Sequence, residues 1–346
     1  MSMIRFWTKL LLAVVISSTV ACKEETHVPP QWGIEDPADD REKNEDIVKL
    51  GWTNVGDTFG KLPNYISVYK SPSTLQNKQA IAYIAVADMT KATFDVLGDI
   101  GYDATAGGYG GKSVNTLTQF YEKNNRPIII NAGLFYYANA FYFSQNLVVR
   151  NGVLLAPNQN YYSKDWVTMW YPTLGAFSQM QDNSFKVSWT YFTSDKVNYS
   201  YNKPAPNDIN KAPLQVPNAT FPETATVLNA KTAIGGVGVL LKDGDVKNTY
   251  VEEMLDVSST SNQPRTAIGI RADKKMVLFV CEGRNVTPGV AGLTTLDVAN
   301  VMKALGCVDA LNLDGGGSSG MLVNGKETIK PSGGTQRAVL TGVSLH

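Results

Sequence analysis

The chain has 346 residues, of which 43% are hydrophobic and 18% charged, and its 31 basic residues balance its 31 acidic ones. A chain of this length and hydrophobic content can bury a large core. Binding to nucleic-acid backbones requires clustered excess basic charge, so this composition argues against a nucleic-acid partner.

The first 22 residues follow the pattern of an export signal. Arg5 and Lys9 precede an apolar run, Leu10 to Val20, that is too short to span a bilayer. Cys22 follows a small residue at the end of this run, as in bacterial lipoprotein signals. The sequence therefore predicts a signal peptide over residues 1–22, lipidation of Cys22, and a periplasmic, outer-membrane or cell-surface lipoprotein. Ordinary secretion without a lipid is the alternative.

Residues 23–46 are rich in charge and proline, and they predict a flexible tether leaving the membrane. The remaining residues, 47–346, are expected to form one large domain. A stretch rich in Tyr, Asn and Pro, around residues 158–229, is expected to elaborate that domain rather than to fold independently.

Short strands dominate the domain and predict an α+β fold with mostly antiparallel sheets and a few helices packed on them. Strands are predicted over Tyr65–Lys70, Ala80–Asp88 and Pro127–Gly133, and helices over Lys112–Lys123 and Thr294–Leu305, with Gly306 as a helix stop. Hairpin turns are predicted at three dipeptides flanked by apolar residues: Asn151-Gly152, Asp243-Gly244 and Asn324-Gly325.

Histidine and cysteine usage removes several classes of active site. The two histidines, His27 and His346, lie in the tether and at the last position, which argues against catalysis based on histidine and against ordinary zinc sites. Acid and base chemistry then falls to carboxylates. Cys281 and Cys307 either form a disulfide or are two separate buried thiols, and the frequent burial of free cysteine favours the second reading.

The densest functional signal is the segment Ala310–Gly325, in which an apolar strand delivers Asp314 into three glycines and two serines. Such a loop can bring bare backbone amides close to a phosphate while the carboxylate acts as acid or base. The same pattern also fits an ordinary glycine-rich hairpin. If the loop is a site, its phosphate-binding residues are Gly315, Gly316, Gly317, Ser318 and Ser319.

Two further strand ends carry charged residues. Arg265 stands at the start of an apolar strand and could make a forked contact with phosphate, although an isolated arginine there is more often a surface ion pair. Glu282 and Arg284 follow another buried-looking strand, next to Gly283. Charged residues beside a glycine at the end of a strand are typical of a functional site, because loops held by a rigid sheet often carry binding and catalytic residues.

In order along the chain, several segments resemble the phosphodiester glycosidase family. The resemblance runs roughly from Ile81 to Val343 and is strongest in the NLDGGGSS signature. Its other parts are Asn131–Phe135, Asn151-Gly152, Ala233–Gly244, Pro264–Gly269, Glu282–Arg284 and Arg337–Val339. Glu282 stands where the family commonly has Asp, and Asn131-Ala132-Gly133 replaces a more usual pair of glycines.

The resemblance implies a hydrolase that cleaves the sugar–phosphate bond of a glycosyl phosphodiester, such as an N-acetylglucosamine 1-phosphodiester. In this interpretation Asp314 and Glu282 are the catalytic carboxylates, and Arg265 and the glycine amides hold the phosphate. The resemblance adds Asn131 and Arg337 as binding residues, and Arg284 completes the expected set. No metal or other cofactor is required, although Asp314, Glu282 and phosphate oxygens could hold calcium or magnesium.

Two other functions remain open from the sequence. One is a surface lipoprotein that binds phosphorylated glycans without turnover, and the other is a phosphodiesterase that cuts the second ester bond. In the glycosidase interpretation, the aromatic run from Leu134 to Phe143 could stack on a sugar face, but core packing is the favoured reading.

Overall fold

The computed structural model describes residues 44–346, and the predicted signal peptide, Cys22 and residues 23–43 lie outside the described residues. The three α-helices are α1 (Glu45–Lys49), α2 (Leu117–Asn124) and α3 (Thr295–Ala304), and single 3₁₀ turns cover Gly56–Phe59 and Gly316–Ser318. No helix of the described part is long and apolar enough to cross a membrane.

The strands of the first half of the chain are β1 (Thr53–Asn54), β2 (Ile66–Lys70), β3 (Thr74–Leu75), β4 (Lys78–Gln79), β5 (Ala82–Asp88), β6 (Phe94–Leu97), β7 (Gly101–Asp103), β8 (Gly108–Gly111), β9 (Ile128–Asn131), β10 (Phe135–Ala138), β11 (Phe141–Ser144), β12 (Val148–Arg150) and β13 (Val153–Ala156). Those of the second half are β14 (Leu174–Met180), β15 (Phe185–Phe192), β16 (Asn198–Tyr201), β17 (Thr226–Val227), β18 (Ala230–Gly235), β19 (Val239–Lys242), β20 (Asp245–Val246), β21 (Arg265–Arg271), β22 (Lys275–Cys281), β23 (Cys307–Asn312), β24 (Met321–Val323), β25 (Lys326–Glu327) and β26 (Gly342–Leu345).

The strands form three larger sheets and two smaller ones. The largest has the order β1-β2-β5-β22-β21-β23-β19-β20, the next β13-β12-β18-β14-β15-β16-β17, and the third β25-β24-β9-β26-β6. A four-stranded sheet, β10-β11-β8-β7, and the pair β3-β4 complete the set. The ladders are antiparallel, as expected, and strands far outnumber helices, so the fold is mostly β.

One buried cluster joins the three larger sheets. It contains Leu278 of β22, Phe177 of β14 and Ile130 of β9, each fully buried. Helix α3 packs its apolar face, including Met302, on the other side of the largest sheet, against strands β19, β21 and β23. The largest sheet is therefore covered on both faces, which explains why its central strands are almost continuously apolar.

The structure confirms the predicted hairpin turns and the predicted start of helix α3. All three predicted hairpin turns are present, and Asn151, Asp243 and Asn324 adopt the positive φ that such turns need. Helix α3 begins after Thr294, whose hydroxyl forms a capping box with Asp297, close to the predicted start.

Helix α2 begins five residues later than predicted. Thr116 caps it through a capping box with Gln119, and the preceding residue Asn115 instead forms a β-bridge with Val339. The N-terminal cap, rather than the apolar spacing from Val114 onward, sets where this helix starts.

Two boundaries differ from the sequence-based expectation. Residues 44–46, assigned to the tether, already belong to the domain, because Asn44 is buried against Tyr69 and Asp46 pairs with Arg271 at 2.6 Å. Within residues 158–229, strands β14 and β15 are interior strands of the seven-stranded sheet. Their side chains Phe177 and Trp189 belong to the main cluster, so this part is core rather than elaboration.

Cys281 and Cys307 are free and buried, in agreement with the favoured reading. Cys281 pairs with Arg265 at one end of β21, and Cys307 pairs with Arg271 at the other end. Six residues of strand separate them by about 20 Å, far beyond the reach of a disulfide.

Candidate functional site

Strand β23 carries Asp314 to the edge of a cleft and fixes its backbone from two sides. The Asp314 amide donates to the Ala132 carbonyl at 2.9 Å, and the Asp314 carbonyl accepts from Nδ2 of Asn131 at 2.6 Å. Just before it, the Leu313 amide bonds to the Thr266 carbonyl. Asp314 is thus held between the ends of β9 and β21, so its carboxyl has a defined position.

The pKa of the Asp314 carboxyl group is unusually high for an aspartate. Burial raises its pKa to about 6, against the opposing effects of a hydrogen bond from Ser318, the positive charge of Arg337 and the Gly315 amide. A carboxyl with this pKa exists in both protonation states near neutral pH, so it can give a proton as well as accept one.

The three glycines after Asp314 let other groups lie directly against the backbone. A Cβ at Gly315 would stand 2.9 Å from the Pro264 carbonyl oxygen, one at Gly316 would stand 2.8 Å from Nη2 of Arg284, and one at Gly317 would stand 2.5 Å from Nη2 of Arg337. Glycine is therefore favoured at Gly315 by a backbone carbonyl and at Gly316 by its positive φ of 59°, and at Gly317 it leaves room for the flexible end of an exposed arginine.

This arrangement modifies the predicted role of the loop amides. The Gly316 amide donates to the Pro264 carbonyl, and the Ser318 and Ser319 amides donate within the loop to Gly315 and Gly316. These three amides are therefore already used within the protein, whereas the exposed guanidinium groups of Arg284 and Arg337 lie against the loop.

The two serines have different surroundings. Ser318 bonds to the Asp314 carboxyl and lies 3.5 Å from Nη1 of Arg337, so it connects the acid to the arginine. Ser319 has a buried hydroxyl without a partner in the described part of the chain, and it lines a separate small cavity beside Leu117 and Gln336. Ser319 was predicted to bind phosphate, but it does not line the cleft.

Arg265 borders the cleft but does not have the free fork that phosphate binding requires. Its side chain donates from Nε to Leu293, from Nη1 to Val257, and from Nη2 to both Ser258 and Ser261, in every case to a backbone carbonyl oxygen. Four of its five N–H groups are therefore used. Arg265 holds the loop that forms one wall of the cleft, which corrects the expectation that it binds the phosphate directly.

Glu282 does not line the cleft that contains Asp314. Its side chain is buried, and its Oε1 accepts a hydrogen bond from the Lys330 amide at 2.9 Å while Oε2 has no partner in the described part. It is absent from the residues that line the cleft. Glu282 stands two positions before Arg284, but strand β22 ends at Cys281 and Arg284 adopts a positive φ of 59°, so strand alternation does not carry Glu282 into the cleft beside Asp314 as the sequence suggested.

Asn131 is a buried residue whose side chain holds neighbouring segments in place and does not line the cleft. Its Nδ2 donates to the Asp314 carbonyl, and its Oδ1 accepts from the Thr266 hydroxyl at 2.7 Å and from the Gly320 amide at 3.2 Å. Its side chain is fully buried by these contacts. Asn131 therefore positions both ends of the glycine loop without reaching the cleft.

The cleft itself has a volume of about 300 Å³. Of the predicted site residues, it brings together Asp314, the three glycines, Arg265, Arg284 and Arg337. Its other lining residues are Leu134, Val237, Asp256, Val257, Ser258, Gln263 and Asn312. Asn312 could have been found from the sequence, because it lies two positions before Asp314 on the same strand face; nothing local marks Asp256.

The predicted aromatic platform is divided between surface and core. Phe141 is buried, whereas Tyr136 and Tyr137 of the neighbouring strand are 48% and 61% exposed. Core packing therefore accounts for only part of the run. Among residues 44–346, no three His, Cys, Asp or Glu side chains are grouped so that they could hold a metal ion.

Comparison with known proteins places this cleft in context. The model of a family described as phosphodiester glycosidase matches residues 124–346, a range that includes the glycine loop and all three site arginines. A Bacillus subtilis (strain 168) relative, the SPbeta prophage-derived uncharacterized protein YomE, is 33% identical over 106 residues. That match covers 31% of this chain and only 16% of the relative's length.

Two solved structures share the fold. The zebrafish N-acetylglucosamine-1-phosphodiester alpha-N-acetylglucosaminidase catalytic domain, auto-inhibited by its pro-peptide, aligns with a TM-score of 0.55 at 18% identity, over 83% of this chain and 85% of that chain. A hypothetical protein from Synechocystis aligns with a TM-score of 0.53 at 14% identity, over 83% of this chain and 64% of that one.

Proposed function

The chain belongs to the phosphodiester glycosidase family, and from this membership we propose that it hydrolyses the bond between the sugar and the phosphate of a glycosyl phosphodiester. The products are a free sugar and a phosphomonoester. The observation that carries the proposal is the position of Asp314, a carboxyl with a pKa of about 6, in one cleft with two exposed arginines.

Arg284 and Arg337 are proposed to hold the phosphate of the substrate. Both side chains lie against the glycine loop and line the same cleft as Asp314. Guanidinium groups bind phosphate oxygens through paired, charge-assisted hydrogen bonds, and they stabilise the negative charge that the phosphate gains as it leaves the sugar.

Asp314 is proposed to be the general acid. The bond from the anomeric carbon to the phosphate oxygen breaks, the electron pair stays on that oxygen, and protonated Asp314 gives it a proton. A phosphate is a better leaving group than an alkoxide, so a modest general acid is sufficient. Asn131 and Ser318 contribute by fixing the backbone and the carboxyl of Asp314.

A cleft of about 300 Å³ is at the small end of ligand pockets and suits one sugar ring with its phosphate. The name of the structurally similar zebrafish protein contains N-acetylglucosamine, which makes that sugar the first to test here. We further propose that the protein acts in the cell envelope, exported and anchored through lipid on Cys22, so that its substrates are extracytoplasmic glycosyl phosphodiesters.

The experiment compares the protein lacking residues 1–43 with its Asp314→Asn variant on methyl phosphodiesters of α-linked N-acetylglucosamine, N-acetylgalactosamine, glucose and mannose 1-phosphates. Free sugar and sugar phosphate are assayed separately. Release of free sugar by the parent alone supports the proposal. Sugar phosphate as product would indicate a phosphodiesterase, and binding without any release would indicate a glycan-binding protein. Asp195→Asn, in the exposed turn between β15 and β16, is the control.

A further inference from the structure

Hydrolysis in this cleft requires a second group, because Asp314 as acid leaves the attacking water without a base. Glu282 cannot be that base, since it is buried against the Lys330 amide and does not line the cleft. Histidine is also absent from the lining residues. Among the residues described from 44 to 346, Asp256 is the one carboxylate besides Asp314 that lines the cleft.

Asp256 is free to act on water. Its residue is exposed and lines the same cleft as Asp314. Unlike Asp243 or Asp273, which pair with lysine or arginine, it forms no hydrogen bond or ion pair through its side chain within residues 44–346. An unpaired carboxylate in contact with solvent is available to a water molecule as a hydrogen-bond and proton acceptor.

The loop that carries Asp256 is anchored on both sides of this residue. The Leu255 amide donates to the Tyr250 carbonyl at 2.9 Å, and the Val257 carbonyl accepts from Arg265 at 3.2 Å. The next carbonyl, that of Ser258, accepts from the same arginine at 2.7 Å. Arg265 thus ties this wall of the cleft to strand β21, next to the strand that delivers Asp314.

We propose that Asp256 is the general base of the reaction and that the enzyme inverts the anomeric centre; this inference rests on the proposed function. Asp256 takes a proton from a water molecule, and the water oxygen forms a bond to the anomeric carbon as the bond to the phosphate oxygen breaks. Asp314 protonates that oxygen. The sugar gains a hydroxyl, the phosphomonoester gains a proton, and solvent returns both carboxyls to their starting states.

The test uses Asp256→Asn and Asp256→Ala in the same protein, on the methyl phosphodiester that the parent cleaves, with Asp195→Asn as the matched exposed control. We expect kcat to fall by about 100-fold or more while KM changes by less than about threefold, as for loss of a general base. Azide, which needs no base, should restore turnover of Asp256→Ala and give a glycosyl azide of inverted configuration.

The outcomes separate this inference from the proposed function. A parent that releases free sugar with inverted configuration, together with an inactive Asp256→Asn variant, supports both. A parent that releases sugar with retained configuration, or an Asp256→Asn variant with near-parental kcat, overturns the role of Asp256 and leaves the glycosidase intact. A parent that releases no sugar from any of the four diesters overturns both.

Discussion

The guanidinium group of Arg337 lies against the backbone of Gly317, so closely that a Cβ atom at this glycine would stand 2.5 Å from Nη2. The glycine and the arginine are 20 residues apart, and only the folded loop brings them together. The contact places a positive charge beside the Asp314 carboxyl, where it also lowers the pKa of that group against the larger effect of burial.

Replacing Gly317 by alanine tests this contact. The methyl group would displace the flexible end of Arg337 rather than the backbone, so we expect a folded protein with weakened phosphate binding. Loss of a charged hydrogen bond costs about 1.5–3 kcal/mol, or roughly 10- to 150-fold in kcat/KM. Gly101→Ala is the control, because a Cβ there meets nothing within 4 Å. Parental kcat/KM in Gly317→Ala would show that Arg337 does not need this position.

The pH dependence of turnover follows from the raised pKa of Asp314. As a general acid it must be protonated, and burial raises its pKa to about 6. We therefore expect kcat to fall about tenfold for each pH unit above that value. Measuring kcat from pH 4 to 9 checks this prediction. An alkaline limb that persists in Asp314→Asn would mean that another group is the acid.

Much of the framework could be predicted because its signals are local. Asn324-Gly325 turns where it does because its two residues tolerate positive φ, and Thr294 starts α3 through a hydrogen bond within four residues. The loop with Asp314 was recognisable for the same reason, since its glycines and serines are consecutive. The family resemblance then pointed to Arg284 and Arg337.

The parts that could not be predicted depend on the direction of a side chain or on contacts between distant segments. Arg265 resembles a phosphate ligand in sequence, but its partners are carbonyl groups of a loop that folds back over it. Glu282 stands two positions before Arg284 along the chain, yet it accepts a hydrogen bond from the Lys330 amide and does not line the cleft. Asp256 lies in a segment without periodicity, and only its position in the folded loop reveals that it lines the cleft with Asp314.

The stability of the protein should also depend on Asp314. Its pKa is raised from 3.8 to about 6 on folding, so the folded state binds the proton more tightly and stability falls as pH rises from about 4 to about 6. A pKa shift of this size corresponds to about 3 kcal/mol in the free energy of unfolding. The effect is expected to be smaller here, because the Asp314 side chain is partly exposed to solvent. Asp314→Asn should therefore be more stable than the parent at pH 8, by about 1–2 kcal/mol, and equally stable at pH 3.5.

Urea unfolding at the two pH values measures this difference. Ser318→Ala serves as a comparison, because it removes the hydrogen bond to the carboxyl without removing the charge. If Asp314→Asn is less stable than the parent at pH 8, the carboxylate contributes favourable interactions that exceed its cost of burial.

The anchor predicted at Cys22 can be tested on the full-length chain in a bacterial host. We expect the parent to incorporate labelled fatty acid and to partition with the detergent phase, because an acylated cysteine binds membranes firmly. Cys22→Ser should abolish both. Secretion of an unlabelled parent protein that has lost its signal peptide would favour ordinary export instead.

Arg265 and Arg337 should respond differently to the same substitution by lysine. Arg265 is buried and bonds to four carbonyl groups, which a lysine with a single ammonium cannot match in geometry. We expect Arg265→Lys to lower the free energy of unfolding by about 2–4 kcal/mol, because buried carbonyl groups lose their donors. Arg337 is exposed, so Arg337→Lys should leave stability unchanged and raise KM. Urea unfolding and steady-state kinetics on both variants check this. If Arg265→Lys is as stable as the parent and only its KM rises, the side chain binds substrate after all, and the loop that carries Asp256 must be held by other contacts.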